Sequence, residues 1–166
     1  MIISARFATV VMAAVGFAGV GLGTGTASAE SANGGTVPLG STYRSCDFTK
    51  MGYVGTLATG SGQATIGTGG SNTVTADVYL MIGTPNTPYQ VRLIQGPRPG
   101  SQKCVAGDPG VASAVLNTNG NGVGSVTVHA PLNSGATNAW VFIEGPPEPG
   151  QIRGEFYTSD MITSLE

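Results

Sequence analysis

Short segments that alternate apolar and polar residues, broken repeatedly by Gly, Pro and Asn, limit most strongly what this chain can fold into. The clearest segment is "TVTADVYLMI" at 73–82, where every second residue is apolar and Asp77 and Tyr79 fall on the opposite face. A period of two predicts a β-strand with one face in the core. "YQVRLIQ" at 89–95 repeats the pattern, and "TPNTP" between the two must be a turn because proline has no N–H to give a ladder.

The rest of the chain continues in the same way. "VASAVLNTNGNGVGSVTVHAP" predicts a hairpin with Asn-Gly at its tip, with Val126 and Val128 facing in and His129 facing out. Residues 138–143 and 151–157 predict a further pair of strands around a proline-rich turn, and 47–57 and 63–69 predict two weaker strands. Seven or eight short strands without a helical period predict an all-β fold, an antiparallel β-sandwich of the immunoglobulin-like or Greek-key type, with a small barrel as the alternative.

The amino terminus reads as a targeting segment. Arg6 precedes an uncharged apolar run at 7–22, and "ASA" at 27–29 supplies the small residues that signal peptidase requires. The run is shorter than the roughly 20 residues that span a bilayer, so an uncleaved anchor is the lesser alternative. We expect a cleaved signal peptide at 1–29, a flexible leader at 30–42 and one β domain at 43–166. The expected location is secreted or associated with the cell envelope, with no transmembrane segment after cleavage.

The only two cysteines, Cys46 and Cys104, are predicted to form a disulfide. Pairing is the default in an oxidising compartment, and there is no CxxC spacing for a metal or redox pair. In the chain-entropy model, closing a loop of this length stabilises the fold by about 4 kcal/mol.

Charge and motifs exclude several classes of function. Without Arg6, six basic residues face nine acidic ones, a balance unsuited to binding nucleic acid. The sequence has no phosphate-binding loop and no dinucleotide fingerprint, and a single histidine, His129, makes a zinc site improbable. We therefore predict no cofactor, no metal and no catalytic residues. A secreted hydrolase using His129 is the remote alternative.

Candidate binding residues lie in two places. Arg92, Arg98 and Lys103 form the one local basic patch, beside the predicted disulfide, and would hold an acidic polysaccharide or lipid head group unless they are merely solvated. Trp140 lies on a strand with two apolar faces, so one face needs a cover: the carboxy-terminal "DMITSL" or a partner. Arg153 is predicted to form an exposed ion pair with Glu155 on a solvated hairpin, with anion or protein contact as its alternative.

Four segments carry a resemblance. The stretches "CDF…GYVG", "ADVYLMIGTPNTPYQVRLIQGPRP", "CVAGDPGVASAVLNTNGNGVGSVTV" and "GATNAWVFIEGP…EFYTSD" resemble small exported proteins of mycobacteria and their relatives, over most of 46–160. That resemblance implies export and a β fold, and no catalytic activity. "AWVFIEGPPEPGQIRGEF" is similar to the closing strands of the CHRD domain, an extracellular β module, with Gln151 in place of its Glu and Glu155 in place of its Gln. The histidine-bearing strand of that domain would fall at "YQVRLIQ", which has no histidine.

Together these features predict a non-enzymatic exported β-sandwich that acts by binding an unidentified ligand at or outside the cell envelope. The alternative is a structural protein of the cell surface, or one that interacts there with another protein. The expected partner is an envelope ligand or a protein, and no nucleic acid.

Overall fold

The structure, a computed structural model, describes residues 33–55 and 58–166. The predicted signal peptide lies outside the described residues. The strands are β1 Asn33–Gly40, β2 Ser61–Gly69, β3 Thr73–Met81, β4 Pro88–Gly96, β5 Val111–Asn117, β6 Gly124–Pro131, β7 Asn138–Glu144, β8 Phe156–Ser159 and β9 Thr163–Ser164. The described residues form no helix, so the predicted all-β class is confirmed.

All the strands belong to one antiparallel sheet. Its order is β5-β4-β7-β8-β1-β2-β3-β6, with β9 paired to the beginning of β7. The end strands β5 and β6 lie against each other, and a Cβ on Gly124 would sit only 2.6 Å from the carbonyl oxygen of Asn117. The sheet is therefore nearly barrel-shaped. In the part of the chain that the structure describes, no helix is long and apolar enough to cross a membrane.

The main core lies between the facing halves of the curled sheet. Alternate residues of eight strands point into it, which explains the period of two in the sequence. Its largest fully buried members include Tyr89, Tyr157, Ile66, Leu80, Leu93, Leu116 and Ile143. Tyr89, Val91 and Leu93 lie on the inner side of β4, as the alternation predicts.

A second, smaller core lies on the outer side of β4 and β7. Trp140, Phe142 and Phe156 are buried there, and Tyr43, Phe48 and Val54 pack over them. These covering residues belong to the segment 41–55, which we name the cap. Arg44 ties the cap to β8 by donating to the carbonyl oxygens of Ser159 and Asp160 at 3.0 and 2.9 Å.

The disulfide joins the cap to the loop after β4. Cys46 and Cys104 are bonded, as predicted, with Cα atoms 5.6 Å apart. The sequence predicts two apolar faces on β7 and a cover for one of them, and the structure supplies that cover from the cap. The carboxy-terminal segment lies elsewhere, with Leu165 in the main core.

Three sequence predictions about secondary structure are wrong in part. The leader predicted at 30–42 is strand β1 over Asn33–Gly40, because this segment pairs with β2 from Asn33 to Leu39. The weak strand predicted at 47–57 is irregular in its described part, 47–55. The strand predicted at 151–157 begins only at Phe156, because residues 151–155 belong to a loop that closes on itself.

The two strands of the predicted Asn-Gly hairpin exist, and a turn at 119–122 joins them. Hydrogen bonds from Asn119 to Val123 and from Gly122 to Asn119 close that turn. The strands themselves pair with different neighbours, β5 with β4 and β6 with β3, so they are the two ends of the sheet. The turn that joins them keeps those two ends together.

Candidate functional site

An open groove of about 1050 Å³ lies at one end of the sheet. One wall is the segment 145–155, which we name the proline loop. Thr84 and Thr87, in the turn between β3 and β4, line the groove together with Gly55 at the end of the cap. Open clefts of this size are the usual places for ligands and partner segments to bind.

Backbone contacts hold the base of the proline loop. The Gly145 amide donates to the Glu155 carbonyl at 2.8 Å, and the Gln151 amide donates to the Glu148 carbonyl at 2.9 Å. A Cβ on Gly154 would lie 2.1 Å from the Gly145 carbonyl oxygen, a contact that only glycine avoids. The loop is thus closed on itself where it leaves the sheet, and its prolines reduce the freedom of the rest.

The Glu155 side chain connects the two walls of the groove. One carboxylate oxygen accepts the Thr84 amide at 3.0 Å, and the other accepts the Tyr157 hydroxyl at 3.0 Å. The Thr84 amide also donates to the Tyr89 hydroxyl at 2.7 Å, and the Gly60 amide donates to the Tyr157 hydroxyl at 3.1 Å. Burial, and then the neighbouring Glu155 carboxylate, raise the pKa of Tyr157. The phenol therefore stays protonated and keeps donating to Glu155.

The most exposed large apolar side chains either line this groove or lie, along the chain, two residues before a residue that lines it. Ile152 is 98% exposed and lines it, Tyr53 is 81% exposed two residues before Gly55, and Ile82 is 66% exposed two residues before Thr84. These three, which we name the rim, are the three most exposed large hydrophobic residues in the described structure. Exposed apolar groups that cluster at a cleft are typical of interaction sites.

Ile82 also has an unfavourable backbone. Its φ is +58°, in the left-handed region. A β-branched residue is rare there because Cβ crowds the backbone, at a cost of about 1–2 kcal/mol. The exposed Ile82 side chain gains little from burial to offset this strain, and strained positions of this kind concentrate at functional sites.

Behind the proline loop, Glu144 lies between two arginines. Arg92 donates to one carboxylate oxygen at 2.8 Å and Arg153 to the other at 3.3 Å. Arg92 lies over the Phe142 ring, and Arg153 over the Tyr43 ring. Burial lowers the pKa of Arg92, and Glu144 opposes that shift. The predicted Arg153–Glu155 ion pair does not form, because Glu155 points to Thr84 and Arg153 points to Glu144.

The predicted basic patch does not present three charges to solvent. Arg92 and Arg98 are each only 9% exposed, and only Lys103 is on the surface. Arg98 donates to the carbonyl oxygens of Lys103 and Pro109 at 2.8 and 3.2 Å, which makes it a brace inside the disulfide loop. Burial lowers its pKa. The sequence pattern cannot reveal this burial. Alternation places Arg92 on an outward face of its strand, and only the folded structure shows that the cap covers that face.

Trp140 is not at the surface. It is 1% exposed, with the Phe48 ring edge-on at 5.4 Å, so it does not contact a partner in this conformation. His129 is exposed on the outer face of β6, opposite Thr75 on β3. Within 33–55 and 58–166 there is no cluster of three or more His, Cys, Asp or Glu side chains placed to hold a metal ion.

In comparisons with known proteins, no family model, no curated protein and no solved structure matches the chain. The groove rests on residues that sequence reasoning did not select: Thr84, Thr87, Tyr53, Ile82 and Ile152. The two turns "TPNTP" and "PPEPG" are visible in the sequence. The sequence does not show that these two turns lie side by side, because that depends on β3, β4 and β7 sharing one end of a curled sheet.

Proposed function

We propose that this protein is exported and acts without catalysis, by binding a partner at or outside the cell envelope through the groove beside the proline loop. The fully exposed Ile152 in the open groove, with exposed Tyr53 and Ile82 each two residues along the chain from a groove-lining residue, carries the proposal. Export is supported by the Cys46–Cys104 disulfide, which is stable in an oxidising compartment. The groove carboxylate of Glu155 holds the two walls together, which supports a binding role over an acid–base role.

The partner that fits the groove best is an extended segment of another protein. The cleft is open to solvent, with prolines and Ile152 in its lining, whereas small molecules favour enclosed pockets. Exposed backbone and mixed charges from Glu148 and Arg153 suit a peptide. The groove therefore favours the alternative in which this protein binds another protein.

The rim provides the test. Random peptides displayed on phage are selected on the immobilised, oxidised protein, and the affinities of the winners are measured for Ile152→Ser and for the matched control Val115→Ser. Val115 is an exposed apolar residue on the edge strand β5. Burying one Ile side chain is worth about 1.5–3 kcal/mol, so Ile152→Ser is expected to weaken binding about tenfold or more. Failure to enrich any peptide, or equal weakening by both variants, would contradict the proposal.

Ile82→Gly separates function from stability. Glycine relieves the left-handed strain, worth about 1–2 kcal/mol, and adds about 0.5–1 kcal/mol of backbone entropy cost. The variant is expected to unfold at an equal or higher urea concentration than the wild type while binding the selected peptides more weakly. Loss of stability without loss of binding would mean that Ile82 serves the fold alone.

A further inference from the structure

A second surface, which shares no lining residue with the groove, has a different chemistry. The outward side chains of β1, β2, β3 and β6 form ordered rows, because each strand is in register with the next. From β1 to β6 the rows are Pro38, Gln63, Tyr79 and Ser125, then Thr36, Thr65, Asp77 and Thr127, then Gly34, Gly67, Thr75 and His129. We name this surface the Tyr79 face.

The Tyr79 face is concave at its centre. A shallow depression of about 550 Å³ is lined by side chains of the first two rows on β2, β3 and β6. The outer side of an antiparallel sheet is ordinarily a flat solvated surface. A depression bordered by an aromatic ring, an amide and several hydroxyls is a more specific feature than a polar sheet surface alone.

The hydroxyls of the central row are oriented. Thr36 and Thr65 share a hydrogen bond of 2.8 Å between their hydroxyls, and the Thr127 hydroxyl donates to one oxygen of Asp77 at 2.6 Å. Asp77 is exposed, and its other oxygen has no hydrogen-bond partner within the described residues, so it can accept a hydrogen bond from an incoming hydroxyl. Gln63 in the next row offers both a donor and an acceptor.

Charge is nearly absent from this face. Of the twelve positions in the three rows, Asp77 is the one acidic residue, His129 is the one histidine, and none is Lys or Arg. Such a face lacks the cations that would attract phosphates or acidic polysaccharides. It suits a ligand that is itself uncharged and rich in hydroxyls.

Tyr79 supplies the apolar part of the surface. Its ring is 38% exposed at the edge of the depression, and Met81 follows at the same exposure two residues along β3. The negative π face of an aromatic ring attracts the slightly positive C–H groups that line one side of a sugar ring. An aromatic ring beside hydroxyls, an amide and a carboxylate matches the alternating apolar and polar edges of a glycan.

We propose that the Tyr79 face binds an uncharged polysaccharide, with a sugar ring stacked on Tyr79 and its hydroxyls bonded to Asp77, Gln63 and the threonines. This site is separate from the groove, so the protein has one surface for a glycan and another for a protein segment. The binding would be weak for a single sugar and would strengthen with chain length, because the depression extends over three strands.

The test is native electrophoresis of the oxidised, exported protein through gels that contain dextran, mannan or arabinogalactan. At least one of these neutral polysaccharides is expected to retard the wild type, and gels with polygalacturonate are expected to retard it less. Tyr79→Ala is expected to weaken the retardation about tenfold, since one stacked ring is worth about the 1.4 kcal/mol that this factor represents. The matched control is Tyr53→Ala, which removes an exposed tyrosine of the groove rim and leaves this face intact.

A second variant guards against a folding defect in Tyr79→Ala. Thr127→Arg keeps the strand and places a long cation over the depression, so it should also abolish retardation at unchanged thermal stability. Equal retardation of wild type and both variants would overturn the proposal, as would no retardation in any neutral gel. Loss of glycan binding in Tyr53→Ala with retention in Tyr79→Ala would assign the glycan to the groove and overturn it as well.

Discussion

Replacing Glu144 by Gln is expected to destabilise the fold markedly, although it changes only one atom. The substitution keeps the shape of the side chain and removes the charge that faces Arg92 at 2.8 Å. Arg92 is buried under the cap and would keep its bond to the Cys104 carbonyl, its contact with the Phe142 ring and, at best, a hydrogen bond to the neutral Gln amide oxygen, with no opposite charge beside it. Its guanidinium cannot lose its proton to escape the cost.

The magnitude follows from burial. Breaking a fully buried ion pair by removing one partner costs about 3–5 kcal/mol, and a fully exposed pair is worth about 0–1 kcal/mol. The Arg92 side chain is 11% exposed and that of Glu144 is 26% exposed, so water screens the pair only in part. We expect a loss of about 2–3 kcal/mol in the free energy of unfolding.

Urea unfolding followed by the fluorescence of Trp140, the only tryptophan, measures this loss. With a slope of about 2 kcal/mol per molar urea, the midpoint should fall by about 1 M or more at unchanged slope. The matched control is Glu148→Gln on the exposed part of the proline loop, which should change stability by less than about 0.5 kcal/mol. Adding Arg92→Met to Glu144→Gln should cost less than the sum of the single changes. Equal urea midpoints for the two Gln variants would refute the reasoning. They would mean that the Arg92–Glu144–Arg153 cluster contributes no more to stability than charges on a solvated hairpin.

Three further outcomes are expected. Because the pKa of Tyr157 is raised in the folded state, the phenol ionises first in the unfolded chain, and stability should fall as pH rises above about 10. Tyr157→Phe should flatten that fall relative to a Tyr53→Phe control. An unchanged pH profile in Tyr157→Phe would contradict this prediction. Changing both Cys46 and Cys104 to Ser should lower the free energy of unfolding by about 4 kcal/mol for a separation of 58 residues, and a loss below about 1 kcal/mol would mean that the cap holds without the bond. Trp140 fluorescence should resist iodide quenching in the oxidised protein and become quenchable in urea, whereas ready quenching of the native protein would contradict the buried position.

The fold was predictable where local pattern and tertiary position agree. Residues 73–81 and 89–95 alternate, and both are strands with their apolar side inward, because alternation depends only on the strand itself. Ile82 was predicted to continue the inward face of the first strand, and this is wrong, because the strand ends at Met81 and the left-handed backbone at Ile82 leaves its side chain exposed. β1 could not be found in this way, since "NGGTVPLG" has little apolar content and becomes a strand only by pairing with β2. A Cβ on Gly34 would lie 1.9 Å from the Ile66 carbonyl oxygen, so the packing of β1 against β2 requires glycine at this position. In the sequence, the same glycine suggests a loop.

The candidate sites were less predictable, for a related reason. Alternation states that Arg92 points away from the main core, and only the folded chain shows that the cap covers it. Alternation also predicted a strand through Arg153, yet the close approach of Gly154 to Gly145 turns that segment into the wall of a groove. Tyr79 and Asp77 were correctly placed on an outward face, but the depression between them depends on the register of three strands.

The most direct test of the central claim is site-specific photo-crosslinking in cells that express the full chain. A benzophenone amino acid is placed at Ile152 on the groove rim and, as the control, at Val115 on β5, and both proteins are illuminated with the disulfide intact. Binding through the groove predicts a discrete adduct with another protein from position 152 and none from position 115. The absence of any protein adduct at 152, or the same adducts from both positions, would contradict it.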